Sequence, residues 1–256
     1  MATPMAAELG HIINILVLSS LAGLATGFGA AVVLIGKPGR RVFGFFGGFA
    51  AGVMITVSFL NLILKPWKIS GPTLTIVGFV FGSVLIFFLD SLLPHTYFSV
   101  KEKGAIKPEL FKVGMLMTIG MTIHNVPEGI AVGAGYLQLH ALGFLIATAI
   151  GLHNIPEGMA VALPIHASGA SKRTAFKLAL LSGMVEPVGA FFAGLFLDIF
   201  RGLIPIALAF AGGVMVFLTL DELIPTMRNH GHEHSTSLGI IAGCVVMLGL
   251  LGYFGI

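Results

Sequence analysis

Two nearly identical polar stretches lie within apolar sequence. The first, HNVPEG, covers residues 124–129, and the second, HNIPEG, covers residues 153–158. Residues four apart share one face of a helix, so His124 and Glu128 point together, as do His153 and Glu157. Imidazole nitrogens, carboxylate oxygens and amide oxygens form a mixed donor set that suits zinc or another first-row divalent ion. The two stretches therefore predict a metal site between two helices.

The prolines in these stretches add to that chemistry. Pro127 and Pro156 lack an N–H, so each releases the carbonyl four residues back, of Ile123 or Leu152, as a further oxygen ligand or a partner for water. A third Glu-Pro pair begins at Glu186, in SGMVEPVGA, and is predicted to join the same polar centre. The structural alternative for each HNxPEG stretch is a kinked helix with a hydrogen-bonded polar patch.

The surrounding chain is too apolar for an ordinary soluble domain. Of its 256 residues, 56% are hydrophobic and 10% are charged, and the mean hydropathy is +1.00. A bilayer core takes about 20 apolar residues per helix, and such runs are too long and unbroken for barrel strands. We therefore predict an all-α membrane protein, one polytopic domain over residues 1–256, with eight transmembrane helices at 11–36, 41–64, 73–93, 113–136, 141–165, 172–197, 203–227 and 236–255.

Carboxylates in the middle of such helices need a compensating partner. An ionised carboxylate in hydrocarbon costs at least ~2.5 kcal/mol on insertion scales. Lys and Arg are absent from the middles of the predicted helices, which excludes an obvious ion pair. Protonation, water or a bound cation remain as explanations. No phosphate-cradling glycine loop or aromatic patch of RNA-binding type is present in the sequence, so we expect no nucleic-acid partner.

The distribution of basic residues predicts the orientation. Eleven of the 14 Lys and Arg residues lie in the joints after predicted helices 1, 3, 5 and 7, whereas the other joints hold Lys65, Lys68 and Arg201. The positive-inside rule places the richer joints in the cytoplasm. Both termini are then predicted to be extracellular.

Similar sequences in the second and seventh predicted helices indicate an internal repeat. FAAGVMITVSFLNLI begins at Phe49 and FAGGVMVFLTLDELI begins at Phe210, and the two align without a gap. Because the two helices run in opposite directions, a duplication of helices 1–3 as 6–8 has inverted topology, with helices 4 and 5 between. Inverted repeats are typical of secondary transporters, which bind substrate near the bilayer midplane. Chance similarity of Gly-Val-Met-rich segments is the alternative.

Together, the two HNxPEG stretches, AAGVM in predicted helix 2, the Glu-Pro pair of helix 6 and DSLLPH closing helix 3 resemble the ZIP (Zrt/Irt-like) family of divalent metal transporters, in its short bacterial zinc-uptake branch. The resemblance covers nearly the whole chain. It implies eight helices, extracellular termini, a homodimer and a site for one or two ions among helices 2, 4, 5 and 6. Met54, which spacing alone marks as core filler, becomes a ligand by this resemblance.

The resemblance also implies roles for individual residues. The primary metal would be held by Met54, His124, Glu128, His153 and Glu157. A second ion would be held by Asn125, Asn154 and Glu186, with Glu128 and Glu157 bridging. Many relatives carry aspartate or glutamine around the positions of His153 and Asn154, which leaves occupancy of the second position open.

Residues along a transport path follow from the same resemblance. Asn61 fits an entrance position, and four residues fit a cytoplasmic exit: Asp90, His95, Asp221 and Glu222. Interfacial polar caps are the alternative for all five. The stretch RNHGHEHS places His230, His232 and His234 in the last cytoplasmic joint, where they either buffer metal or belong to a solvated loop.

The predicted function is transport of divalent metal ions across an inner or plasma membrane into the cytoplasm. Zn²⁺ is the expected ion, with Fe²⁺, Mn²⁺ and Cd²⁺ as alternatives that ligand types do not separate. The rival is a membrane-embedded zinc hydrolase, weakened by the absence of an H-E-x-x-H signature in the sequence. We therefore expect a transporter and not an enzyme.

Overall fold

The protein is helical throughout the part of the chain that the structure describes. The computed structural model describes residues 4–36, 39–92 and 108–255, in which no strand occurs. Two π-helical segments, Ser58–Ile63 and Thr219–Leu223, and a 3₁₀ turn, Arg201–Leu203, connect consecutive helices. The α-helices of these residues are α1 Pro4–Ile35, α2 Arg40–Val57, α3 Leu64–Leu92, α4 Pro108–Gln138, α5 His140–Ala167, α6 Lys172–Gly183, α7 Glu186–Ile199, α8 Ile204–Leu218, α9 Ile224–His230 and α10 Glu233–Phe254.

Six segments of the described chain are long and apolar enough to cross a membrane. The prediction of an all-α, multi-pass membrane protein is thereby confirmed. The segments are Leu9–Ile35, Arg40–Leu89, His140–Ala167, Lys172–Leu197, Arg201–Asp221 and Glu233–Phe254.

The joint predicted between helices 2 and 3 is only a single-residue break. Helical structure continues past residue 64, and the helical backbone is interrupted at Gly71, whose φ is 81° and ψ is 173°. Glycine adopts this left-handed φ without a Cβ clash, and Pro72 follows directly. Arg40–Leu89 is consequently one long segment with a sharp turn in it.

The sixth predicted helix, 172–197, matches one membrane-length segment, Lys172–Leu197, but it is not continuous. It consists of α6, which ends at Gly183, and α7, which begins at Glu186, with a turn between them. Pro187 has no N–H to donate to the carbonyl of Gly183, which favours a helix end there and a new start with proline in the first turn. The helix is therefore broken immediately beside Glu186.

The helices pack in two groups. In the first, α1 packs against α5, α6 and α7, and α4 packs against α5 and α7. In the second, α2 packs against α10, and α3 against α8. Helix α4 contacts α8 and α2 contacts α5, which joins the groups. Helix α5 lies at the centre of the bundle. Of its apolar stretch, 72% is buried, compared with 22% of the apolar stretch of α10.

The two π-helical segments occupy matching places in the two similar sequences. Aligning Phe49 with Phe210 sets Ser58 opposite Thr219, and these two residues begin the two π segments. A π segment accommodates an extra residue within a helix and often marks a functional position. Asn61 lies in the first segment and Glu222 in the second.

Candidate metal centre

The two HNxPEG stretches meet between α4 and α5. Nε2 of His124 is 3.2 Å from Oε1 of Glu128 on its own helix and 3.2 Å from Oε1 of Glu157 on the other. Nε2 of His153 is 2.7 Å from Oε1 of Glu157 and 3.8 Å from Oε1 of Glu128. One ligand atom from each of these four residues lies within 4.8 Å of the other three. We call these four residues the central cluster.

The central cluster is closed off from solvent. Its four residues are at most 4% exposed, and the two imidazole rings stack with centroids 5.7 Å apart and planes inclined by 19°. The ion-pair partners of Glu128 and Glu157 in the described chain are the two histidines. Two carboxylates and two imidazoles facing each other at this range form a site of the size and donor type that a zinc ion takes.

Several buried oxygens around the central cluster accept no hydrogen bond from the described residues. A buried acceptor without a donor is costly, so such atoms indicate a missing donor or cation. The atoms are Oε2 of Glu128, Glu157 and Glu186 and Oδ1 of Asn125 and Asn154. A divalent cation would satisfy these oxygens. Together with the four atoms of the central cluster, they are more potential metal-binding atoms than one tetrahedral ion needs.

Asn125 is tied to the break between α6 and α7. Its Nδ2 donates to the carbonyl oxygen of Ser182 at 2.7 Å. In a continuous helix that carbonyl would accept from the backbone N–H of residue 186, four residues on. The break removes this backbone donor, and the Asn125 side chain replaces it. Its Oδ1 is left without a hydrogen-bond donor.

Asn154 links the central cluster to α1 and α7. Its Nδ2 donates to the carbonyl oxygen of Ala22 at 2.9 Å and, over a shorter contact, to Oε1 of Glu186. Glu186 is fully buried, and its backbone carbonyl lies against Gly129, next to Glu128. It begins α7, whose N-terminal dipole favours a negative group. Three buried carboxylates thus lie on neighbouring helices in the protein interior.

The glycine that closes each HNxPEG stretch is a packing position that the sequence analysis missed. A Cβ on Gly129 would overlap the carbonyl oxygen of Glu186 in α7, and a Cβ on Gly158 would overlap that of Thr26 in α1. The absence of a side chain lets these backbones approach closely. The repeated glycine directly after each glutamate was the available signal.

Other predicted residues lie on the helices around the central cluster. Met54 is fully buried on α2, which packs against α5. Asn61 is 2% exposed, and its Oδ1 accepts no hydrogen bond from described residues. Asp221 is exposed at the second π segment. The side chains of Asp90, Glu222 and His230 and all of His95 lie outside the described residues.

A small cavity of about 30 Å³ adjoins His124 and Glu157. This volume is large enough to hold a water molecule. Sequence analysis did not single out its apolar walls, because methionine in an apolar helix is ordinary core filler. The remaining lining residues are Met117, Met121, Ala160, Leu218, Leu223 and Met227.

The helices and the central cluster define a class: a multi-pass membrane protein with histidine and glutamate side chains buried together between two proline-containing helices. The profile described as ZIP zinc transporter matches residues 101–251, more than half of the chain. The chain belongs to the ZIP zinc transporter family. This membership confirms the predicted resemblance and the predicted class of function, divalent metal transport.

Curated relatives align with nearly the whole chain. The zinc transporter ZupT of Streptococcus mutans is 37% identical over 256 aligned residues, covering 93% of this chain and 96% of the relative. The protein of that name from Lysinibacillus sphaericus is 39% identical, with the same two coverages. That of Escherichia coli O127:H6 is 38% identical, covering 91% and 93%. These names indicate a role in transport rather than catalysis.

Proposed function

We propose that this protein carries Zn²⁺ across the inner or plasma membrane into the cytoplasm through the central cluster. The observation that supports this most directly is the convergence of His124, Glu128, His153 and Glu157, each from an interior position of a helix. Three buried carboxylates beside each other are costly without a cation, and zinc takes this donor set. The relatives named as zinc transporters support the choice of ion.

We assign the ligands in two overlapping sets. Met54 and the central cluster hold the primary ion. Asn125, Asn154 and Glu186 hold a second ion, with Glu128 and Glu157 bridging through their second carboxylate oxygens. The Oε1 atoms face the histidines, and the Oε2 atoms accept no hydrogen bond from the described residues, which supports this division.

The topology that we propose has eight crossings in one domain over residues 1–256. The turn at Gly71 divides Arg40–Leu89 into two crossings, and α4, with 31 residues, adds another. The matching π segments support an inverted repeat of helices 1–3 and 6–8. The excess of basic residues on one side supports extracellular termini. The homodimer is proposed on family membership.

We propose a path that runs from Asn61, through the central cluster, to Asp90, His95, Asp221 and Glu222. The unpartnered oxygen of Asn61 supports its part in shedding water from the entering ion. Release occurs as one helix group shifts against the other. Protonation of a histidine or glutamate weakens the site during this step, because metal ligands bind in their deprotonated form. A transport rate independent of pH across the histidine range contradicts this step.

The rival function is hydrolysis at a membrane-embedded zinc ion. A catalytic site keeps an open position for water and a free base. Here both glutamates of the central cluster face the histidines, which favours a role as ligands and counter-charges. The fully buried position of the cluster also leaves little room for a substrate larger than an ion.

Reconstitution in liposomes that contain a zinc-sensitive dye tests the proposal. We expect zinc entry with the unmodified protein and loss of entry with His124→Ala. Matched liposomes with Glu233→Ala, an exposed glutamate of α10, control for changes in surface charge. Absence of zinc flux through well-folded, unmodified protein would overturn the proposal.

A further inference from the structure

A second group of histidines lies at one end of the helix bundle, away from the central cluster. His11 is on α1, and His140 is the first residue of α5. Their ring centroids are 5.5 Å apart, with planes inclined by 64°. His140 is exposed and His11 partly exposed. This pair plays no part in the transport path proposed above.

The spacing of the pair suits a shared metal ion. Two imidazoles bound to one zinc ion at a tetrahedral angle, with nitrogens about 2 Å from the metal, have ring centres about 5 Å apart. The ring-centre separation of His11 and His140 is close to this value, and it is shorter than the 5.7 Å between His124 and His153 in the central cluster.

Neighbouring side chains hold this pair in place. The Tyr136 ring stacks on His140 with centroids 4.5 Å apart and contacts the His11 ring edge-on at 6.0 Å. Nδ2 of Asn14 donates to the Tyr136 hydroxyl at 2.8 Å, so the amide oxygen of Asn14 takes no part in that hydrogen bond. These contacts hold the two imidazole rings in their relative orientation.

The backbone around the pair is hydrogen-bonded and closely packed. Leu139 is the one residue between α4 and α5, and its N–H donates to the carbonyl of Gly135 at 2.9 Å. A Cβ on Gly143 would overlap the backbone of Tyr136, so the two helices cross closely directly beside the pair. A closely packed frame lowers the cost of binding, because little has to be ordered.

We propose that His11 and His140, supported by Asn14 and Tyr136, form a second binding site for zinc, accessible from solvent at the joint of α4 and α5. Two histidine nitrogens with the remaining positions open to water give an exchangeable site, suited to capture rather than storage. Tyr136 follows Glu128 by eight residues, so the site lies about 12 Å from the central cluster along α4. A captured ion is held within a short distance of the path.

Carbethoxylation of histidines with diethyl pyrocarbonate, read by mass spectrometry of the purified full chain, tests this site. Zn²⁺ at ten times its Kd leaves about one site in ten free, so modification of His140 should slow about tenfold. Mg²⁺ should give no protection, because it prefers oxygen ligands and keeps its water. The same protection is expected in the double variant His153→Ala, Glu157→Ala, so this site is judged independently of the central cluster.

Variants of the pair give the decisive comparison. His11→Gln should abolish zinc protection of His140, whereas His234→Gln, an equivalent change on α10, should leave it unchanged. If gel filtration shows that His11→Gln does not fold, the variant His140→Gln gives the same test, with modification of His11 as the readout. Absence of protection at His140 in saturating zinc, or protection that persists in His11→Gln, would overturn the two-histidine site.

Discussion

His124 on α4 is as close to Glu157 on α5 as to the glutamate of its own helix: Nε2 of His124 is 3.2 Å from Oε1 of Glu157 and 3.2 Å from Oε1 of Glu128. The two HNxPEG stretches are therefore not separate i, i+4 pairs but one interleaved group. A change at any member alters the surroundings of ligands on both helices.

Glu157→Gln should weaken zinc binding at the central cluster by at least about tenfold, or about 1.4 kcal/mol. Glutamine keeps the size of the side chain but removes the charge that faces both histidines. Titration calorimetry of the purified protein in the His11→Gln background measures the affinity. Glu233→Gln, an exposed change on α10, is the matched control. Unaltered affinity in Glu157→Gln contradicts a role for this carboxylate as ligand.

Glu186→Gln should lower the number of bound zinc ions by one. The carboxylate of Glu186 accepts a hydrogen bond from the Asn154 side chain, and we assign it to the second ion only. Equilibrium dialysis at saturating zinc, with metal counted per chain, measures the difference from the unmodified protein. The affinity of the primary ion should change only a few-fold. An unchanged zinc count contradicts the two-ion centre.

Met54→Leu should reduce cadmium affinity more than zinc affinity. The change nearly conserves volume, so packing costs stay below about 1.5 kcal/mol, while the soft thioether is lost. Met215→Leu is the matched control, because Met215 is fully buried and occupies the position aligned with Met54 in the similar sequence of α8. Equal effects of the two substitutions on metal binding would show that Met54 only fills the core.

Gly158→Ala should lower the free energy of unfolding by about 1–3 kcal/mol or more, because the added methyl overlaps the carbonyl oxygen of Thr26. Thermal unfolding in detergent, followed by intrinsic fluorescence, measures the loss as a lower midpoint. Gly249→Ala, on α10 with no atom near its added methyl, should leave the midpoint unchanged or raise it. Equal midpoints for the two variants contradict close contact of α1 and α5 at Gly158.

The chemistry of the central cluster was predictable because it depends on local periodicity. Spacing of four on a helix aligns His124 with Glu128 and His153 with Glu157 wherever the helices lie. Hydropathy similarly predicted a multi-pass helical membrane protein, because backbone groups in lipid must be satisfied within helices.

The helix boundaries were less predictable. Hydropathy does not distinguish a continuous helix from two helices that abut within the same apolar run, and so 172–197 was predicted as one element. The turn at residues 184–185 depends on Pro187 and on the Asn125 side chain that caps the carbonyl of Ser182. That cap comes from a helix 57 residues away in sequence.

The sequence by itself determined the types of candidate ligand, their pairing along each helix and the apolar runs around them, since composition and a period of 3.6 residues act locally. Only the tertiary structure decided that His124 lies beside Glu157, that Glu186 contacts the Asn154 side chain, and that the rings of His11 and His140 pack together. These relationships depend on the rotation and axial position of one helix against another. Packing sets both, through contacts such as those of Gly129 and Gly158 with neighbouring backbones.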